Sequence, residues 1–221
     1  MKQLFVRMIV VAMAVPLCAT ADNWPQWRGP TATGVASPGQ YPSTFSDSEN
    51  VLWKVPLPSV APSTPAVWED HIFVTGAIEK KDGILCFDRD GNERWRATFG
   101  KATERKHNVA SGANSSPLTD GKHVFVYYKS GTIAALDFAG KVLWKDNLQE
   151  RFGKNTLWWD LGTSPVWVGG NVVVAVIQAE DSYLVALDAL TGTVAWKVRR
   201  QFDCPRESDQ SYTTPSVITQ D

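Results

Sequence analysis

The chain predicts an all-β fold, a β-propeller of four-stranded antiparallel blades, on three observations. One phrase is written three times: Phe87-Asp88-x-x-Gly91-x3-Trp95, Leu136-Asp137-x-x-Gly140-x3-Trp144 and Leu187-Asp188-x-x-x-Gly192-x3-Trp196. The Asp positions lie 49 and 51 residues apart and the Trp positions 49 and 52, a period that marks repeat architectures. Between these marks run short stretches rich in β-branched and aromatic residues, punctuated by Gly, Asp and Pro, four strand-length pieces to each repeat. Four antiparallel strands make one blade, and blades set radially protect one another's edges.

The elements follow in chain order. Residues 1–21 read as a secretory signal peptide: Lys2 and Arg7 flank the start, Met8 to Leu17 is apolar, and Ala19-Thr20-Ala21 offers a small-x-small cleavage site. The segment is too short to act as a membrane-spanning stop. Cleavage is expected near Ala21, with export to the periplasm or the extracellular space. Cys18 raises a lipid-anchored alternative, disfavoured by the bulky Pro16 and Leu17 before it. A leader occupies residues 22–50. Val51-Leu52-Trp53-Lys54 then repeats Val142-Leu143-Trp144-Lys145 letter for letter with no Asp-Gly hairpin before it. Residues 51–56 therefore read as an outer strand that closes a ring, with Trp53 in the column of the other repeat tryptophans.

The blades span about 63–99, 115–148 and 163–199. Each opens on Ser/Thr-Pro: Thr64-Pro65, Ser116-Pro117 and Ser164-Pro165, and Thr214-Pro215 starts a further blade over 213–219. Six residues after each of the first three prolines a β-rich run begins, at His71, His123 and Asn171. A third strand follows (Ile84–Phe87, Ile133–Leu136, Leu184–Leu187), then the Asp-Gly turn and the Trp strand. The turn has a physical reason: Asp accepts backbone N–H bonds just ahead of it, and Gly supplies the positive φ that closes the hairpin. Asp88, Gly91, Trp95, Asp137, Gly140, Trp144, Asp188, Gly192 and Trp196 are thus structural, each ring filling a wedge between blades provided its N–H finds an acceptor. Three blades and two orphan strands close no ring, since propellers have four to eight blades. The expectation is an N-terminal fragment of a longer propeller, with open edges prone to aggregation.

Composition bounds the partners. Without the signal the chain holds 20 basic against 23 acidic residues and shows no basic stripe, which argues against nucleic acid. No segment of the mature chain is long and apolar enough to span a membrane. Cys86 shares its column with Ala135 and Ala186 and reads as a small core filler. Cys204 lies in a loop, as a free thiol or the partner of a cysteine elsewhere, and no disulfide framework is indicated. His71 and His123 align with Asn171, and no His/Cys cluster has metal-ligand spacing.

Function is expected where the repeat breaks. The connections Phe99–Ser115, Leu148–Thr163 and Phe202–Thr213 join an outer strand to the next inner strand, so they emerge on one face of the propeller. Long loops on a rigid scaffold commonly carry binding residues. The candidates are Arg105, His107, Asn108 and Asn114, then Trp158, Trp159 and Asp160, then Arg206, Glu207, Asp209 and Tyr212. Each is equally a solvated loop residue taken alone, and the Trp158-Trp159-Asp160 tip with Arg206-Glu207 forms the best surface. The expected partner is a protein, or a small-molecule or glycan ligand, on that face.

The phrase Ala186-Leu187-Asp188-x-x-Thr191-Gly192-x3-Trp196 resembles the tryptophan-docking repeat of the pyrroloquinoline-quinone (PQQ)-like propellers. The leader Asn23-Trp-Pro-Gln-Trp-Arg-Gly-Pro30, followed by Gly34-Val35, is similar to the opening of exported PQQ-like repeat proteins of planctomycete-type bacteria. The resemblance covers Asn23 to Asp221 and is specific for fold rather than activity, since the family spans quinoprotein dehydrogenases, an outer-membrane assembly lipoprotein and sensor domains. It implies one of two functions. The first is a non-catalytic exported module that binds or scaffolds through its loops and needs no cofactor. The alternative is a fragment of a PQQ-dependent alcohol or sugar dehydrogenase, with calcium polarising the quinone and an Asp as base. Alcohol-type members stack the quinone on an adjacent Cys-Cys pair, and none occurs here. No Gly-x-Ser-x-Gly elbow or phosphate-cradling glycine loop is present. A carboxylate pair across the axis, as a glycosidase would need, is not legible in sequence.

Overall fold

The computed structural model describes residues 22–205 and 208–218; the signal segment and Arg206-Glu207 lie outside them. Three sheets of four antiparallel strands form in chain order. The first blade holds β1 (Ala66–Trp68), β2 (His71–Ile78), β3 (Lys81–Phe87) and β4 (Glu93–Lys101). The second holds β5 (Leu118–Thr119), β6 (His123–Tyr127), β7 (Thr132–Asp137) and β8 (Val142–Asn147). The third holds β9 (Val166–Val168), β10 (Asn171–Val176), β11 (Tyr183–Asp188) and β12 (Val194–Arg199). The structure is all-β in three propeller blades, with one short helix among the described residues, α1 (Leu148–Phe152), opening a connection that the sequence suggested was entirely loop. Asn147 caps that helix, its side-chain oxygen accepting the N–H groups of Gln149 and Glu150.

Strand periodicity explains why the middle blade is apolar on both faces. Side chains alternate sides along a strand, so Phe125, Tyr127, Ile133 and Ala135 pack against Val172, Val174, Val185 and Leu187 of the third blade. Their neighbours Val124, Val126, Ala134 and Leu136 pack against Phe73, Ile84 and Cys86 of the first. Cys86 is fully buried and burial pushes its thiol up to about 12, so it serves as a small core residue.

Two polar devices join the blades. In the first, each tryptophan reaches the next blade's turn. Trp53 Nε1 donates to Arg89 O (2.6 Å), Trp95 Nε1 to Phe138 O (2.8 Å) and Trp144 Nε1 to Ala189 O (2.8 Å). A Cβ on Gly91, Gly140 or Gly192 would fall within 2.7 Å of the docked ring, and all three have positive φ. The turn column therefore needs glycine twice over, for conformation and for close approach. Asp88, Asp137 and Asp188 each accept two backbone N–H bonds within the turn. Trp196 stands at the end of this series, 41% exposed, with no acceptor for its N–H among the described residues.

In the second device the Ser/Thr-Pro column forms an inner belt. Thr64 N donates to Ser116 Oγ, Ser116 N to Ser164 Oγ and Ser164 N to Thr214 Oγ1, each at 2.9 Å. Residues 51–56 make no strand ladder, although Trp53 docks on its turn and Val55 packs on the outer face of the first blade. The reason is that no neighbouring strand among the described residues pairs with that segment. Residues 213–218 likewise form no strand, held instead by the belt and by the bridge from Ser211 to Ile177. The leader runs along the inner edge of β1: Trp24 and Val67 exchange both backbone bonds at 2.8 Å, and Thr119 N donates to Pro25 O.

Candidate functional site

Because strands alternate in direction, the β4–β5 and β8–β9 connections share a face with the β2–β3, β6–β7 and β10–β11 turns. The site is built where these meet. Lys129, in the β6–β7 turn, and Asp160, in the connection before β9, form an ion pair at 2.5 Å with side chains 7% and 3% exposed. Asp160 also accepts the backbone N–H groups of Lys106 (3.0 and 2.9 Å) and His107 (2.9 Å). Lys129 Nζ donates a second bond to Glu104 O at 2.6 Å, and Lys106 Nζ bonds Leu157 O. Burial pushes the Asp160 carboxyl up, but the Lys129 ammonium and the two amides outweigh it and hold the group below the usual carboxylate range. One buried carboxylate thus ties residues 104–107 to the 157–160 tip.

That knot fixes an aromatic surface above it. Trp158 and Trp159 are 40% and 58% exposed. The Trp158 backbone N–H donates to Gln210 Oε1 (2.9 Å), and that of Trp159 to Tyr212 Oη (3.2 Å), which itself donates to Gln210 (3.0 Å). The His107 ring meets Trp159 edge-on, with centroids 6.4 Å apart. Two large rings are therefore presented on backbone held from three connections, the arrangement a recognition surface needs to avoid ordering cost on binding.

The structure brings together His107, Trp158, Trp159, Asp160 and Tyr212. It does not bring in Arg105, whose guanidinium bonds Asn108 O at 2.7 Å within its own loop, or Asn114, whose side-chain oxygen accepts Ser111 N at 2.8 Å. Asp209 is half-buried, with one carboxylate oxygen lacking a partner among the described residues; Arg206 and Glu207 lie outside them. Asp160 faces inward, held by Lys129 and the loop amides. Lys129 was missed by sequence reasoning because it sits in a strand-linking turn rather than a long connection. The signal was available: six residues after His123, it occupies the column of Ala77 and Ile177, where a charge is out of place.

The dehydrogenase alternative calls for calcium donors. No group of three or more His, Cys, Asp or Glu side chains converges among the described residues, so they offer no carboxylate cluster for that ion, and no step is derived through it. His71 contacts Arg94, which also pairs with Asp70, and His123 pairs with Asp120.

The family described as the outer membrane protein assembly factor BamB matches residues 80–217. No curated protein matches the chain. Among solved structures, quinohemoprotein alcohol dehydrogenase from Comamonas testosteroni aligns at 22% identity and a TM-score of 0.61, over 82% of this chain and 28% of that protein. BamB from Moraxella catarrhalis aligns at 21% identity and a TM-score of 0.57, over 77% and 48%. Quinohemoprotein alcohol dehydrogenase ADHIIG from Pseudomonas putida HK5 aligns at 22% and 0.55, over 80% and 26%. The chain spans less than half the length of each, and at these identities the likeness is one of fold.

Proposed function

The chain belongs to the family described as the outer membrane protein assembly factor BamB, and on that premise we propose that it is a non-catalytic binding module of the cell envelope that docks a protein partner on its loop face. The observation that carries this reading is the exposed Trp158-Trp159 pair, its backbone bonded to Gln210 and Tyr212 and underpinned by the buried Lys129–Asp160 pair. Rigid aromatic rings over a desolvated polar anchor are what binding hot spots are made of. The signal segment supports export, with the module acting in the periplasm or outside the cell. A cofactor-free scaffold fits the inward-facing Asp160, which the loop amides and Lys129 occupy fully.

The test is site-specific photo-crosslinking in the native envelope, with the photoreactive side chain at position 159 and, as control, at position 90 on the Asp-Gly turn face. A discrete adduct from 159 that is absent from 90, and lost with Trp158→Ser, supports the reading. Equal labelling from both positions sinks it. A parallel titration with PQQ and calcium addresses the quinoprotein alternative: stoichiometric uptake with dye-linked oxidation of an alcohol or sugar would replace the scaffold reading with a dehydrogenase.

A further inference from the structure

The repeat register exposes a difference between blades that the aromatic face does not use. Counted from the strand-opening His71, His123 and Asn171, the sixth residues are Ala77, Lys129 and Ile177. Counted back four from Ser116, Ser164 and Thr214, the matching residues are Gly112, Asp160 and Gln210. Both sixth residues are tied to the loop before their own blade, Lys129 N donating to Gly112 O and Ala77 N to the Ser59 hydroxyl oxygen. In the second blade the space between these columns is filled by the Lys129–Asp160 pair. In the third it is closed by buried Ile177, with Gln210 bonded to Trp158 and Tyr212. In the first blade the two positions hold Ala and Gly, and a cavity of about 530 Å³ opens there, lined by both.

The lining has a definite chemistry. Its apolar wall is small and smooth, made of Val60, Ala77, Ala102 and Ala110. Its rim carries Lys80, Lys101 and Arg105 against one acid, Glu104. Among the described residues the Lys80 and Lys101 ammonium groups have no side-chain or backbone partner, whereas the buried Lys129 of the next blade has two. Both walls, residues 59–60 and 102–112, belong to this chain. The volume lies in the range of small-molecule sites, which pair an apolar lining with a few placed polar groups.

We propose that this cavity binds a small amphipathic anion, an apolar body bearing a carboxylate, with the body against Ala77 and Val60 and the carboxylate between Lys80 and Lys101. Trp158 and Trp159 lie outside its lining, so the site stands or falls separately from the docking face.

The probe is 2-naphthoate, titrated calorimetrically into the purified chain beside its uncharged isostere 2-naphthamide. The expected result is saturable one-to-one binding of the acid, about fivefold tighter than the amide at low salt. The advantage should vanish near 1 M salt, where screening acts within about 3 Å. Lys80→Gln with Lys101→Gln, two exposed positions, should bring the acid down to the level of the amide without moving the melting temperature. Ala77→Leu should abolish binding of both. Gly112 is left alone because a Cβ there would lie 2.7 Å from Thr103 O. Equal affinity for acid and amide in the unmodified chain, or an acid affinity indifferent to the lysine pair, overturns the proposal whatever Ala77→Leu does.

Discussion

Asp160 shows how one side chain decides the shape of a surface it does not itself present. Its carboxylate accepts Lys129 and the amides of Lys106 and His107, so removing its charge strands a buried ammonium rather than erasing a surface contact. Breaking one partner of a buried pair costs about 3–5 kcal/mol, far more than the pair contributes over a hydrophobic substitute. Asp160→Asn is therefore expected to lower the unfolding free energy by that order in urea titration, and the double change Asp160→Leu with Lys129→Met to recover much of it. Asp82 is the opposite case. It is 1% exposed, one oxygen accepts Ser130 Oγ at 2.5 Å, and the other has no partner among the described residues. Burial raises its carboxyl from 3.8 to about 6, against the pull of Ser130 and Thr132. The folded state thus holds this proton more tightly than the unfolded chain. Its contribution is fully present below about pH 4 and is lost as pH rises through about 6, a decline of about 3 kcal/mol at most. Asp82→Asn should flatten the stability profile across that window, measured by denaturant titration at several pH values; an unchanged slope would assign it to another group.

At the scale of elements, the Asp-Gly turn and the tryptophan strand are one device split between adjacent blades. The turn offers a carbonyl and a glycine face, and the preceding blade supplies the ring and its N–H. Trp95→Phe keeps most of the ring but leaves the half-buried Phe138 carbonyl without its donor, which should cost about 1 kcal/mol. Trp196→Phe removes a group with no acceptor among the described residues, and its effect should stay within about 0.5 kcal/mol. Equal costs in thermal denaturation would mean that ring volume, not the interblade bond, carries the docking. The Ser/Thr-Pro belt acts the same way at the inner strands, where 2.9 Å bonds from backbone N–H to the next blade's hydroxyl recur three times. Those hydroxyls were legible only as a punctuation mark before proline. Their role appears once the blades stand side by side, because donor and acceptor are about fifty residues apart in sequence.

At the scale of the whole molecule, the first and third blades each present a face that no further blade covers among the described residues. On one side Val51, Leu52 and Trp53 are exposed, with Leu52 at 95%, and on the other Leu190, Trp196, Val198 and Ile218. The inner faces of the middle blade, by contrast, are shut, with Phe125, Val126, Ile133 and Leu136 at 0%. The same alternating pattern of residues is buried or bare according to whether a neighbour is present, which no single repeat encodes. Loops 99–115 and 148–163 were legible as the non-repeating parts of the chain. What they do was less legible: Arg105 and Asn114 turned out to serve their own loops, Asp160 to face inward, and Lys129, from a turn outside both, to hold them together.

The sequence by itself determined the architecture, because a blade is a local object. Its strands are consecutive, its turns need Asp and Gly at fixed offsets, and a period near fifty repeats the demand three times. It also marked the columns of Trp53, Trp95 and Trp144, whose rings dock on the next turn, and of the buried Cys86. Only the tertiary structure decided which polar residues face solvent and which are consumed inside, since that depends on contacts between blades. It decided too that the Ala77–Gly112 column is open where the Lys129–Asp160 column is filled. A cavity is the absence of side chains contributed from separate loops, and absence at two distant positions becomes visible only when the fold sets them face to face.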